Sequence, residues 1–490
     1  MLKSLKKIAL LGLFLSGLTG CQKDYLDASP EHLQNAGNFF QSKNDFIQAV
    51  NGAYAPLRPL FTDSFWQLGE MRSDNTSFQY NTGDRSAIGR EQNDQFLELD
   101  DNPFVYSFFA NSFTGIGRCN VILNRYDEAK IGDANAARQI LGQASFLRAY
   151  YYLNLVQLFG EVPLVLTEVT STNDAFDKAK RKPVAEIYQS IIKDAGVAVN
   201  NLPAAYPAPT DLGRVTSTAA HMLLAKVYMV QKQYSQAMEH LNIILQSQKA
   251  LNPDYSSNFN PLAKNSVESV FEVQFLEGPF GMASNFMYTF APYNAGTSIT
   301  GFGLYTGADS GWNIPTADLL AAYEPGDLRL AKSINRTFVD PNTNQVVPYT
   351  IKFRSAHSIR YQTNDNFPVY RFSDALLMAA EALNEIGYTS SGQAFTHINR
   401  VRARAGLAGL SPQQVSTQEL FREAVWKERQ VELAFENHRW FDLLRTGRAA
   451  AVMQSHAARE KALKSHVPAA AYNNIRLLFQ YPRREVLLEQ

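Results

Sequence analysis

Only two cysteines occur in 490 residues, Cys21 and Cys119. With the first chemically committed, as its position argues below, no intramolecular disulfide can form, and stability has to come from packing. A chain of this length buries enough surface for that. There is no excess of charge either: 46 Lys+Arg stand against 46 Asp+Glu, which argues against nucleic acid as a partner. No Gly/Ser-rich or Pro-rich linker divides the chain, so one compact body is expected, with 1–20, 21–260 and 261–490 as its successive sequence parts. H-E-x-x-H, G-x-S-x-G and a P-loop are all missing, and the run 301–307 misses the dinucleotide spacing by one residue. Eight histidines are scattered without ligand spacing. The sequence therefore assigns no catalytic residue, cofactor or metal.

What is present begins at the N-terminus. "MLKSLKKIALLGLFLSGLTGC" places Lys3, Lys6 and Lys7 before an apolar stretch, 8–18, and small residues before Cys21. That stretch falls short of the ~20 residues a bilayer-spanning helix needs. It reads as a secretory signal ending in a lipobox. The Cys21 thiol is then alkylated with a diacylglycerol, residues 1–20 are removed, and the new amino terminus is acylated. One acyl chain holds marginally at about 0.8 kcal/mol per CH₂, whereas several hold effectively for good.

The body of the chain reads as mainly α. Phe46, Val50 and Tyr54 recur at helical spacing, with Ser42 or Asn44 available as the cap and Pro56 and Pro59 expected to end the helix. Ile140, Ala144, Leu147, Tyr151, Leu155 and Leu158 mark a helix ending at Gly160, and Tyr150 to Tyr152 require it to pack on more than one side. Leu224, Ala225, Tyr228, Tyr234, Ala237 and Leu241 stand where a tetratricopeptide hairpin puts its small-large interlock, and Ala379, Ala380, Leu383 and Ala394 repeat it more loosely. Stacked hairpins of this kind serve as scaffolds and docking surfaces. The final helical pattern is expected to run unbroken from a capping box at Ser416 and Glu419 to Gly447, with Glu428, Arg429, Glu432, Glu436 and Arg439 as salt-bridge partners.

Two segments have no helical period. The stretch 276–313 alternates aromatics with Gly, Ser, Thr and Asn; Tyr288, Tyr293, Tyr305 and Trp312 are candidates to face outward, while Phe286 and Phe290 read as core. Flat rings give sugar C–H faces contact area, and nearby amides and carboxylates bond the hydroxyls. In 65–85, Tyr80 is a candidate stacking ring, and Arg72, Asp74, Asn75 and Arg85 are candidate hydrogen-bonding groups, with turn and cap roles as the alternative for Asp74 and Asn75. Glu70 and Asp74 stand at i, i+4, but a glycosidase pair needs a cleft and a raised pKa on one carboxyl, and the sequence shows neither.

The runs "ERQVELAFENHRWFDLLRTGR", "FPVYRFSDALLMAAEALNEIG" and "ASFLRAYYYLNLVQLFGEVPLV", with the lipobox and "DYLD" after it, resemble the SusD/RagB family over almost the whole chain. The resemblance implies a tetratricopeptide scaffold with an irregular, loop-rich ligand region, here about 60–115 and 277–315. It also implies a lipid-anchored, non-catalytic protein on the cell surface of the outer membrane. Such a protein captures oligo- or polysaccharide for a SusC-like TonB-dependent transporter. Peptide or another polymer as ligand, and an all-α glycoside hydrolase, remain as alternatives. Replacing Cys21 with serine is expected to leave an uncleaved or soluble protein where the parent fractionates with the outer membrane; labelled palmitate on the variant would refute the tether.

Overall fold

The computed structural model describes residues 39–304 and 309–486; the signal segment, Cys21 and Tyr305 lie outside them. Helix α1 (Lys43–Tyr54) opens in a capping box in which Ser42 and Asp45 exchange side-chain and backbone hydrogen bonds. It buries Phe46 and Val50. Helix α2 (Pro103–Arg125) starts behind an Asn102 cap with proline at its first position, where no N–H is needed. Helix α3 (Ala134–Phe159) starts at an Asp133 cap and stops at Gly160, whose φ of 73° few other residues adopt. Tyr150, Tyr151 and Tyr152 are all buried, because α3 is flanked by α1, α2 and α4 (Val184–Asn201). The Tyr151 ring occupies the space left by Gly115 of α2, where a Cβ would come within 2.2 Å of it.

Two hairpins follow the interlock pattern. Helices α5 (Ser217–Val230) and α6 (Tyr234–Leu245) bury Ala225, Ala237 and Leu241 between them. Helices α7 (Phe372–Ile386) and α8 (Gln393–Arg404) bury Ala379, Ala380 and Ala394. The hairpins stack through α6 on α7, although more than a hundred residues separate them. A two-stranded antiparallel sheet, β1 (Ser269–Val273) with β2 (Phe367–Arg371), crosses the body beneath them. One large apolar core extends from Phe40 to Phe479, and a smaller one sits under the loops. No helix among the described residues is long and apolar enough to cross a membrane. Cys119 lies buried in α2, which pushes its thiol up to about 12.

Helix α1 ends at Tyr54, ahead of Pro56 and Pro59 as expected; a new helical turn begins after each, and the chain continues helical through Leu60–Ser64 and Gln67–Met71. Two expectations need correction. The expected loop over 60–115 also contains helix Ile88–Gln95 and the first half of α2. The last long helix is two, α9 (Gln418–Glu432), capped by Thr417 rather than Ser416, and α10 (Arg439–Arg445). At the break Phe435 and Asn437 take φ of 68° and 62°. The buried Glu70 carboxylate accepts both of their backbone N–H groups, at 2.8 and 3.0 Å, which offsets the strain.

The expected ion pairs form, and they fix this region against other elements. Arg371, at the end of β2, donates to Glu268 at 2.6 Å, Glu432 at 2.8 Å and Glu436 at 2.7 Å. Arg404 of α8 reaches Glu268 and Glu432, Arg329 reaches Glu428 and Glu432, and Lys352 reaches Glu436. Arg429 joins Asp374 to Asp442, and Arg439 pairs with Asp74. Burial alone would raise the Glu432 carboxyl; Arg404, Arg371 and Arg329 hold it well below the usual range. Removing one member strands its partners in the core. Arg371→Met is therefore expected to cost about 3–5 kcal/mol, read as a lowered denaturant midpoint. A loss under about 1 kcal/mol would show that the network is replaceable.

Candidate functional site

At the loop-rich end, residues 276–304, 309–314 and 334–365 surround the smaller core, which contains Met287, Tyr288, Ala291, Ile299, Ile314 and Tyr349, and Gln79, Tyr80 and His466 adjoin them. These segments and those adjoining them share only two-residue antiparallel ladders, Thr76–Ser77 with Ile314–Pro315 and Ile334–Asn335 with Tyr349–Thr350, so side chains carry much of the fixing. Asp340 is the main clip. Its carboxylate accepts from Gln79 Nε2 at 2.8 Å, Asn294 Nδ2 at 2.8 Å, and the N–H groups of Asn342 and Thr343 at 2.8 and 3.1 Å. Burial works against its charge, but Asn294 and the two N–H groups hold the carboxyl below the usual range. Gln79 returns the link by accepting from the Tyr293 N–H at 2.9 Å. Gly311 accepts from the Gln79 N–H at 2.7 Å, and a Cβ there, at φ of 80°, would lie 3.2 Å from the Gln79 side chain. Glu277 ties down the far side by accepting from the N–H groups of Ser358 and Ile359.

Of the residues singled out in the sequence, Tyr80 and Tyr293 lie half-buried in this cap. Tyr80 stacks on His466 with ring centroids 4.2 Å apart, and the Arg85 guanidinium lies 4.6 Å from its centre. Arg85 is itself held by Glu91 through two 2.6 Å bonds. Tyr305 falls outside the described residues. The others are interior: Tyr288 and Trp312 do not face outward as expected, and Asp74 and Asn75 take the structural alternative. Trp312 is only 5% exposed and packs against Phe78 and Trp66, with Arg90 5.3 Å from its ring. Tyr288 is 0% exposed, stacks on Tyr361 at 4.2 Å and shares a 2.6 Å hydrogen bond with His357 Nε2. Arg72 is buried among the rings of Phe96 and Phe479 and paired with Glu98 at 3.0 Å. Asp74 is gripped by Arg439 through bonds of 2.7 and 2.8 Å. Asn75 donates to Glu70 and accepts from Gln430.

Glu70 is also fully enclosed. Burial pushes its carboxyl up to about 7 despite the three N–H donors around it, and no cleft separates it from Asp74 in the manner of a glycosidase pair. No cluster of three or more metal-ligating side chains occurs among the described residues.

The outward aromatic face has different members. Phe302 is 42% exposed and lies 5.2 Å from the His357 ring, and the half-buried Tyr361 caps Tyr288 beside them. Arg360, Gln362 and Asn364 border this face. Sequence reasoning missed Phe302, His357, Tyr361 and His466. Phe302 sits within the aromatic stretch 276–313, and "AHSIRY" carries the same mix of rings, cation and hydroxyl that marks the other loops. Such a face offers flat apolar surface beside amide and guanidinium donors. The interior position of Trp312 has a direct consequence: Trp312→Ala should open a cavity and cost about 3–5 kcal/mol, seen as an early melt. An unchanged melting temperature would return the ring to the surface.

The chain matches two family models, one described as the SusD family over residues 330–484, the other as starch-binding associating with outer membrane over residues 24–229. It is 28% identical over 477 residues to SusD-like protein P2 of Formosa agariphila, covering 90% of both chains. A SusD-like protein of Bacteroides ovatus is 24% identical over 472 residues, 86% of this chain and 79% of that one. Among solved structures, a SusD superfamily protein from Bacteroides vulgatus superposes with a TM-score of 0.76 at 20% identity, covering 92% and 98% of the two chains. A laminarin binding SusD-like protein gives 0.72 at 23% identity, covering 91% and 97%. Surface glycan-binding protein A from Bacteroides thetaiotaomicron, in complex with laminarihexaose, gives 0.71 at 21% identity with the same coverage. Helical hairpins, loop cap and these matches over both halves of the sequence agree: the chain belongs to the SusD/RagB family.

Proposed function

We propose that this chain is a non-catalytic glycan-binding protein, anchored through Cys21 to the outer face of the outer membrane, that captures oligo- or polysaccharide at the loop cap and delivers it to a SusC-like TonB-dependent transporter. The observation that carries the reading is the aromatic face of Phe302, His357 and Tyr361 on loops pinned by Asp340 and Glu277. A platform held in place before the ligand arrives loses little entropy on binding. The similarity to laminarin- and laminarihexaose-binding structures supports a glycan over other polymers. The starch-binding, outer-membrane family model supports the location. The stacked hairpins offer the broad helical surface that a transporter partner would cover.

The test is a calorimetric panel of oligosaccharides and oligopeptides, run with an assay for product release. Binding of at least one oligosaccharide without product is expected. Phe302→Ala should weaken it by about 1–2 kcal/mol, roughly 5- to 30-fold, with the melting temperature unchanged. Peptide binding at the same face, or glycan cleavage, would overturn the reading. Mild-detergent purification of the native lipoprotein should bring down a much larger membrane protein; recovery of monomer alone would count against the transporter.

A further inference from the structure

Two histidines meet across the hairpin of α5 and α6. Each stands one helical turn beyond the alanine interlock, His221 ahead of Ala225 in α5 and His240 after Ala237 in α6. The buried alanines let the two helices approach, so the longer side chains beyond them come into contact. The pair is 19 residues apart in sequence, yet His221 Nδ1 lies 3.0 Å from His240 Nδ1. Both residues are half-buried rather than enclosed. The Tyr228 ring lies within 8° of parallel to His240, with centroids 5.6 Å apart, and helps to hold that ring in place.

A hydrogen bond uses only part of what this arrangement offers. One Nδ1 donates its proton and the other accepts it. Burial keeps both rings neutral: it pulls His221 down to about 4, with the neighbouring ring adding to the effect, and lowers His240 as well. Neutral imidazole nitrogens are ligands for divalent transition ions. At metal–nitrogen bonds of about 2.0–2.1 Å, two nitrogens on one ion stand about 2.8–3.0 Å apart in square-planar geometry and about 3.3–3.4 Å apart in tetrahedral geometry. The observed 3.0 Å meets the first directly and the second after a small rotation of either ring. The charged side chain that acts on His240 is Glu239, and its sign favours a cation.

We infer that His221 and His240 form a two-histidine site for a late first-row divalent ion, Cu²⁺, Ni²⁺ or Zn²⁺, which ties α5 to α6 across the hairpin. When the ion binds, the proton shared between the rings moves to Nε2 of the ring that donated it. Both Nδ1 lone pairs then reach the metal, and no net proton is released. Water fills the remaining positions, since no third metal-ligating side chain stands with the pair among the described residues. Ca²⁺ and Mg²⁺ are excluded, because they take oxygen ligands. The site stands on the scaffold and needs no glycan at the loop cap.

The test titrates the detergent-solubilised full chain, free of any added tag, with the chlorides of Cu²⁺, Ni²⁺, Zn²⁺, Ca²⁺ and Mg²⁺ in a calorimeter. Saturable binding of the first three is expected, tightest for Cu²⁺, and none of the last two. The bound ion should raise the melting temperature, because it holds the native hairpin and has no such site in the unfolded chain. His221→Gln and His240→Gln should each weaken Cu²⁺ binding about ten-fold or more per folded molecule and remove the thermal gain. His397→Gln, on α8, should leave both unchanged. The electron paramagnetic resonance spectrum of the Cu²⁺-loaded parent should show coupling to two imidazole nitrogens, a readout that needs no variant to fold. No binding of the three ions, unchanged binding in either pair variant, an equal loss in His397→Gln, or a copper spectrum without nitrogen coupling would each overturn the proposal.

Discussion

The buried ion network centred on Arg371 and Glu432 is the constraint on which the rest of this fold depends. A guanidinium cannot be taken out of water alone. By meeting Glu268, Glu432 and Glu436 at once, Arg371 fixes the end of β2 against both β1's leading residue and the helix break after α9. Arg404, Arg329 and Lys352 extend the same pairing to α8 and to the segments 327–333 and 349–352. Pieces of chain far apart in sequence are thereby held in one register. Stability alone does not require such a network, since well-packed apolar residues can do as well; a unique arrangement of these pieces is what it provides.

The helix break is the link between that network and the loops. For Glu436 to turn toward Arg371 and Lys352, the chain must leave the helical path after Glu432, and it does so through two left-handed residues. Glu70 holds the resulting turn by its backbone N–H groups and also binds Asn75. Asp74 beside it takes Arg439 at the start of α10. The run 70–77 is thus pinned from the C-terminal side of the chain, and its continuation through Gln79 carries the Asp340 clip of the loop cap. Rigidity at the outer face is inherited from charges at the centre.

The fold is shared with structures at 20–23% identity, so its retention cannot depend on most individual side chains. Helical packing tolerates exchange when volume and pattern are kept. Irregular loops on a rigid scaffold are where binding residues concentrate and vary.

Much of the helical architecture was legible in the sequence, because helix formation is local: three-and-four spacing, the Ser42 cap, the Gly160 stop and the alanine interlock act within a few residues of themselves. Pairing of Glu428, Arg429, Glu432, Glu436 and Arg439 followed from their density, but the partners did not, since Arg329, Arg371 and Asp374 arrive from other elements. Local rules also failed where distant groups overrode them: the break at 433–438 follows a good helical pattern and exists because Glu70 and Arg371 wait on the other side. The same reason inverted the loop reading. An aromatic in a glycine-rich loop carries no mark of which way it faces, so Trp312 and Tyr288 went inward against Trp66 and Tyr361, while Phe302 and His357 came to the surface. Sequence set the helices and the chemistry available; which rings and charges met solvent was decided only when non-local contacts closed, because burial is a property of the assembled surface rather than of the residue.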